Sequence, residues 1–225
     1  MGTTVPRKEG LDKVTGAAKY NDDIREPGLL HVKMVTSTCS HGLIKSIDVT
    51  KAWKVPGVRA VVTGDYLPVK TGSVIEDRPP IAVDKVRYFG EPVAIVVADT
   101  EHEAQLAAYS INIEYEPLPV VKGPAQAIEA GAPLIHENLG QYKKAIDDVY
   151  PVANTNIADH TQIRKGDMKR GWEESDVVVE GEYFMPKSDH IAMETRNVRV
   201  KIDPTGKVRV SGAGKPLYTA ATGAY

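Results

Sequence analysis

One cysteine, Cys39, is all that the 225 residues carry, so no internal disulfide can form. Iron–sulfur clusters are held mostly by several Cys thiolates, so any cluster that serves this protein belongs to another chain. The six histidines, His31, His41, His102, His136, His160 and His190, include no H-x-x-x-H pair and no Cys at ligand spacing. No structural zinc site is expected from them. Also missing is any run of about 18 apolar residues, the length that crosses a bilayer. Residues 1–10 are polar and hold no apolar targeting core. A soluble, cytoplasmic protein is therefore expected. An excess of basic charge is absent too: 28 Lys and Arg face 30 Asp and Glu, for a formal net charge of -2. That excludes the electrostatic footprint of a nucleic-acid binder, and without a block of like charge there is no membrane-surface attraction. Gly212-Ala213-Gly214-Lys215 looks like a phosphate loop but fails as one. Pro216 follows where Ser or Thr is needed, and Arg209 stands where the first Gly should be.

What is present reads as a globular α/β (α+β) protein. Hydrophobic residues make up 42% and charged residues 26%, enough apolar material for at least one core. Residues 29–35, 44–49 and 58–63 read as strands, with a short helical turn over 50–55. Residues 93–98 form a continuous apolar run, the pattern of a strand covered on both faces. Thr100 with Glu103 makes a capping box for a helix over 101–109, whose Ala104, Ala107, Ala108 and Ile111 fall at helical spacing. Ile111, Ile113 and Tyr115 alternate as a further strand, and strand–helix–strand at this length suits a βαβ crossover. Residues 121–162 turn Pro-, Gly- and Asn-rich and read as a connecting arm packed over a surface, with one helical turn over 125–130. Its composition predicts early proteolysis. Residues 176–184 read as a strand. Residues 197–210 read as a hairpin around Asp203-Pro204-Thr205-Gly206, a type I turn with Pro at its second position and Gly at its fourth.

Few residues invite chemistry. Cys39 and His41 lie two apart on extended chain without a third orienting group, so Cys39 reads as a small buried hydrophobe. Glu91, in Gly90-Glu91-Pro92, could be a base at the start of a strand, but no second titratable group accompanies it, so a loop or interface role is expected. His190 and Glu194 are four apart with Met193 beside the Glu; they are candidates for a hydrogen-bonded pair at a domain junction. No catalytic, cofactor-binding or metal-binding residue is assigned from the residues alone.

Several stretches together resemble the molybdenum hydroxylases, the xanthine dehydrogenase and aldehyde oxidase family. They are Arg7 through Asp23 with Lys13-Val14-Thr15-Gly16; Ser37 and His41 through Asp48, then Pro56-Gly57-Val58; and Val86-Arg87-Tyr88-Phe89-Gly90-Glu91-Pro92-Val93-Ala94, continuing to Glu114-Tyr115-Glu116 and Leu118-Pro119. These look like the small α/β hammerhead domain that opens the molybdenum subunit. Gly166-Asp167, then residues 176–182, then His190, Met193 and Glu194 look like the start of its cofactor-binding domain. Thr36 and Thr38 depart from the usual Arg and Pro, and residues 212–225 leave the family pattern.

The resemblance implies a hammerhead-like α/β domain over 1–120, an arm over 121–162, and part of a mixed α+β molybdenum-cofactor-binding domain over 163–225. It implies hydroxylation of N-heterocycles or aldehydes: a Glu takes the proton of a molybdenum-bound hydroxide, hydride passes to a sulfido ligand, and electrons leave through iron–sulfur clusters to FAD. The Phe-Gly-Gly segment, the substrate clamp and that Glu lie later in the family than the residues matched here. The expectation is thus an N-terminal fragment or short subunit, inactive without the remaining molybdenum-subunit chain, an iron–sulfur subunit and a flavin subunit, and able to form a homo-oligomer. The alternative is a non-catalytic assembly module with a hammerhead fold.

Overall fold

Val93, Ala94, Val96 and Ala98 are fully buried, whereas Ile95 and Val97 between them are only partly so. The apolar run is therefore a central strand, but its two faces are covered unequally. The computed structural model describes residues 2, 4–189, 191–192 and 194–213. In chain order the named elements are α1 (Gly10–Thr15), β1 (His31–Thr36), β2 (Gly42–Asp48), β3 (Val58–Thr63), β4 (Lys85–Val86), β5 (Pro92–Ala98), α2 (Glu101–Ser110), β6 (Asn112–Pro117), α3 (Pro124–Ala127), α4 (Met168–Glu173), β7 (Asn197–Ile202) and β8 (Val208–Ala213). The turn expected over 50–55 is a 3₁₀ helix, Ala52–Lys54.

Contacts divide the described chain into two compact units, Gly28–Lys165 on one hand and Met1–Pro27 with Gly166–Tyr225 on the other. In the first unit, β5 lies between β1 and β3, and β2 lies between β4 and β6; every pairing is antiparallel. This corrects the expected crossover. β5 and β6 flank α2 as foreseen, yet they enter different sheets, because periodicity reports a strand but not its partner. Helix α2 buries Ala104, Ala107 and Ala108; Ala107 and Ala108 form a cluster with Val96 and Ala52, edged by Val35, Val58, Val61 and Ile111. Thr100 Oγ1 accepts the backbone N–H of Glu103 at 3.2 Å, as a cap should. The Glu103 carboxylate takes the Thr100 hydroxyl at 2.7 Å instead of the cap backbone. Gly57 is fixed by the same corner: its φ is +80°, and a Cβ there would lie 2.4 Å from the Glu103 carboxyl.

A second cluster, Ala82, Val86 and Val93, packs against Ile44, Ile47, Ile113 and Tyr115 between the two sheets. Along β1, Val32 and Met34 pair with Val97 and Ile95 of β5, and both remain largely exposed.

The arm is more than a connector. Leu139 and Val149 are buried with Ile75, and Lys144 bridges to Ile75 as a strand would. Glu76 N–H donates to Lys143 O at 2.8 Å and Ala145 N–H to Val74 O at 2.9 Å. Bound backbone resists proteases, so the early cleavage expected within 121–162 is revised. In the second unit, no strand forms over 176–184; those residues are exposed and belong to no element. The alternation there reflects apolar residues without a partner sheet among the described residues. The hairpin β7–β8 forms in the expected register, Val200 opposite Val210 and Ile202 opposite Val208. Limited trypsin digestion should therefore cut first at Arg164, Lys165 or Lys187. First cuts at Lys143 or Lys144 would contradict the packed arm.

Candidate functional site

Two stretches far apart in sequence meet at the start of β5. Ser37 N–H donates to Glu91 O at 2.8 Å, and Gly90 N–H donates back to Ser37 O at 2.8 Å. Ser37 is itself buried, its hydroxyl donating to Cys39 O at 2.8 Å and accepting from Cys39 N–H at 3.0 Å. The turn 37–41 and the turn 87–91 are thereby laced into one rigid corner. Pro92 begins β5 where no ladder N–H is required of it.

This corner buries charge. Glu91 is 1% exposed; its Oε2 accepts the Arg87 N–H at 2.5 Å, while Oε1 has no partner. Burial pushes its carboxyl above the ordinary carboxylate range, against the Arg87 N–H and the charge of Arg87, which pull it down. Lys85 is 3% exposed and reaches the arm, donating to Glu137 Oε1 at 2.6 Å and to Leu134 O at 3.4 Å. Burial opposes the charge on Glu137, but the hydrogen bond and charge of Lys85 outweigh it, and the carboxyl falls below the usual range. Arg87 Nη1 donates to Lys85 O at 3.0 Å.

Beside these side chains opens a cleft of about 380 Å³. Its lining includes Glu91, Arg87, Tyr88 and Arg78, with His136 and Asp77. His136 is held below its ordinary pKa first by burial and then by the positive charge of Arg87, so its neutral form is favoured. Its Nδ1 lies 3.3 Å from the Tyr142 hydroxyl and its Nε2 3.8 Å from Asp77. The loop carrying Asp77 and Arg78 is closed by paired bonds between Thr71 and Arg78. Gly72 is required in it, because a Cβ would lie 1.8 Å from Ile75 O.

The residues singled out from sequence fall differently. Cys39 is half-buried, its Sγ 3.3 Å from His41 O, while the His41 ring bonds Pro119 O at 2.6 Å; thiol and imidazole do not address each other. Cys39 packs against the second apolar cluster. Glu194 Oε1 accepts the Asn21 N–H at 3.1 Å, tying the start of the chain to the residues before β7. His190 lies outside the described residues, as do positions 214 and 215 of the glycine-rich stretch. Glu91, taken alone in sequence, has Arg87, Arg78 and His136 around it. Lys85 and His136 gave no sequence signal, since burial of a charged residue shows only once its partners are placed. Among the described residues, no group of three His, Cys, Asp or Glu side chains could hold a metal ion. No helix among them is long and apolar enough to cross a membrane.

Residues 15–119 match the family described as "Aldehyde oxidase and xanthine dehydrogenase, a/b hammerhead domain", and residues 149–217 match "Molybdopterin cofactor-binding domain". The chain is 35% identical over 209 residues to a probable xanthine dehydrogenase subunit of Bacillus subtilis, covering 92% of this chain and 26% of that protein. It is 32% identical over 196 residues to the "Nicotinate dehydrogenase large molybdopterin subunit" of Eubacterium barkeri, covering 86% of this chain and 42% of that one. The solved quinoline 2-oxidoreductase of Pseudomonas putida 86 superposes with a TM-score of 0.76 at 30% identity, covering 94% of this chain and 26% of that chain. The chain thus spans less than half the length of these relatives. Hammerhead and cofactor-binding matches follow one another in the order expected from the motifs, and the chain belongs to the xanthine dehydrogenase and aldehyde oxidase family of molybdenum hydroxylases, corresponding to the N-terminal part of the molybdenum-cofactor-binding subunit.

Proposed function

We propose that this chain supplies framework to a molybdenum-dependent hydroxylase that acts on N-heterocycles or aldehydes in the cytoplasm, and that it is inactive alone. The observation that carries this reading is the likeness to a xanthine dehydrogenase subunit over 92% of the chain. Residues 1–120 serve as the hammerhead portion, 121–162 as the arm, and 163–225 as the start of the cofactor-binding portion. The remaining molybdenum-subunit polypeptide, an iron–sulfur chain and a flavin chain complete the enzyme. The single cysteine agrees with clusters lying elsewhere.

The described residues do not fit a molybdenum–pterin cofactor by themselves. A pterin cofactor needs a shaped cavity with convergent polar donors. The described part of the cofactor-binding match, 149–213, presents mostly exposed side chains through 158–196, and it offers no set of metal ligands. No chemical step is therefore routed through the group on this chain. Glu194 is engaged with Asn21 and acts in this proposal as a junction residue, together with His190.

Exposed apolar surface supports the need for further chains. Val198, Val200, Ile202, Val208 and Val210 of the hairpin are all more than a third exposed, and Val177, Tyr183 and Phe184 are more so. Large apolar side chains left bare in number mark surface that another chain covers, and among the described residues β7 and β8 pair only with each other, which leaves sheet edges open to a further strand. Tagged chain should co-purify with the later part of the molybdenum subunit when the two are produced together. Chain recovered without it, as a well-behaved monomer, would favour the alternative of a non-catalytic hammerhead module.

A further inference from the structure

We propose that the bare face of the sheet β1–β5–β3 is a docking surface for one amphipathic α-helix, carried by the later part of the molybdenum subunit and presenting large aliphatic side chains along one side. The inference rests on the reading that this chain works inside such a subunit, and it names where on the chain that later part sits. Residues directly opposite each other in neighbouring strands share a face. The register therefore sets two rows across the sheet: Met34, Ile95 and Val62, and beside them Val32, Val97 and Ala60. On the other face Val35, Val96 and Val61 pack with Ala107 and Ala108 of α2. The helix covers that face only, and Val32 and Met34 stand 60% and 58% exposed on the opposite one. An unbroken apolar run belongs in a strand covered on both faces. β5 has the run and half the cover.

Dimensions decide what fits. Strands lie about 4.8 Å apart, so the outer two of three are about 10 Å apart, and a helix with its side chains is about 10 Å across. The two rows lie about 7 Å apart along the strands, and with their side chains they suit about two to three helical turns. A further strand would instead add at the edge of β1 and leave the face bare. A face about 14 Å square offers roughly 200 Å², whereas a stable pair of proteins buries about 800 Å² on each partner. A second copy of this chain seated here alone therefore falls short. A helix carried by a larger partner is not held to that figure, since its other contacts hold it near the face. The relatives carry polypeptide to spare: the match spans 26% of the Bacillus subtilis subunit and 26% of the quinoline 2-oxidoreductase chain. All residues of both rows are apolar, so the facing side of the helix is Leu, Ile, Val or Met, with its charge on the far side.

The test uses the tagged full chain produced together with the later part of the subunit. p-Benzoylphenylalanine placed in turn at Val32 and Met34 should cross-link, on irradiation, to one segment of the later part, at positions three, four or seven residues apart. Val32→Glu combined with Met34→Glu should leave the melting temperature of the free chain within about 3 °C of the natural value, because both side chains are exposed. The same pair should weaken capture of the later part at least about tenfold, because docking would bury the carboxylates. Undiminished capture by the folded double variant would overturn the proposal. So would cross-links to another copy of this chain, cross-linked positions two apart as in a strand, or no cross-link to a captured partner. If the double variant fails to fold, the cross-links decide. A natural chain that captures nothing would overturn the molybdenum-subunit reading along with the surface, whereas capture that the variant leaves intact overturns the surface alone.

Discussion

Replacing Val96 by Asp is expected to abolish cooperative folding of the unit Gly28–Lys165. Val96 is fully buried in the central strand, opposite Lys33 on one side and Val61 on the other. Its side chain shares a cluster with Ala52, Ala107 and Ala108, so the strand and α2 are joined through it. Small alanines on the helix leave no room for a carboxylate to turn away, and apart from Lys33 across the strand pair its surround is apolar. Moving a carboxylate into such a surround costs several kcal/mol even beside a partner, against a total stability of about 5–15 kcal/mol for a typical domain. Val96→Ala creates only a small cavity and should cost about 2 kcal/mol with the fold intact. Circular dichroism through a thermal melt distinguishes them: the Ala protein melts cooperatively at a lower temperature, and the Asp protein shows no transition. A cooperative melt of the Asp protein near the natural midpoint would mean that β5 and α2 do not share the core described.

How much of this was readable in the sequence differs by residue. The strand containing Val96 was legible because a short, unbroken apolar run rich in β-branched residues belongs in a buried strand. The helix start was legible because Thr100 and Glu103 have a local job that needs no tertiary partner. The hairpin turn was legible for the same reason, with Asp203 accepting from the backbone N–H groups of Thr205 and Lys207. Pairing was not legible. Nothing in residues 111–115 says that their strand joins β2 rather than β5. The arm looked loose because Pro and Gly are common in it, yet Leu139 and Val149 find Ile75 far back along the chain. Residues 176–184 looked like a strand because alternation is a property of the side chains alone, while a strand requires a neighbour to take its hydrogen bonds. The site was the least legible part. Glu91 stood alone in sequence, and only folding brings Arg78 and His136 to its cleft.

The second large effect concerns the cofactor. The isolated chain should hold no molybdenum and should hydroxylate no purine or aldehyde. Its described residues offer no metal ligands as a group, and its cofactor-binding match is mostly exposed within them. Its cleft lies within residues 71–159 and is lined in part by charged side chains. Joined to the later part of a molybdenum subunit, the same chain should take up the cofactor, because the exposed hairpin and the residues before it would then be covered.

Elemental analysis of the affinity-purified chain, produced alone and together with that later part, tests the central claim most directly. No molybdenum is expected in the chain alone and stoichiometric molybdenum in the co-produced complex, with dye-linked hydroxylation appearing only there. Stoichiometric molybdenum with turnover in the chain alone, or a complex that forms but never acquires the metal, would contradict it.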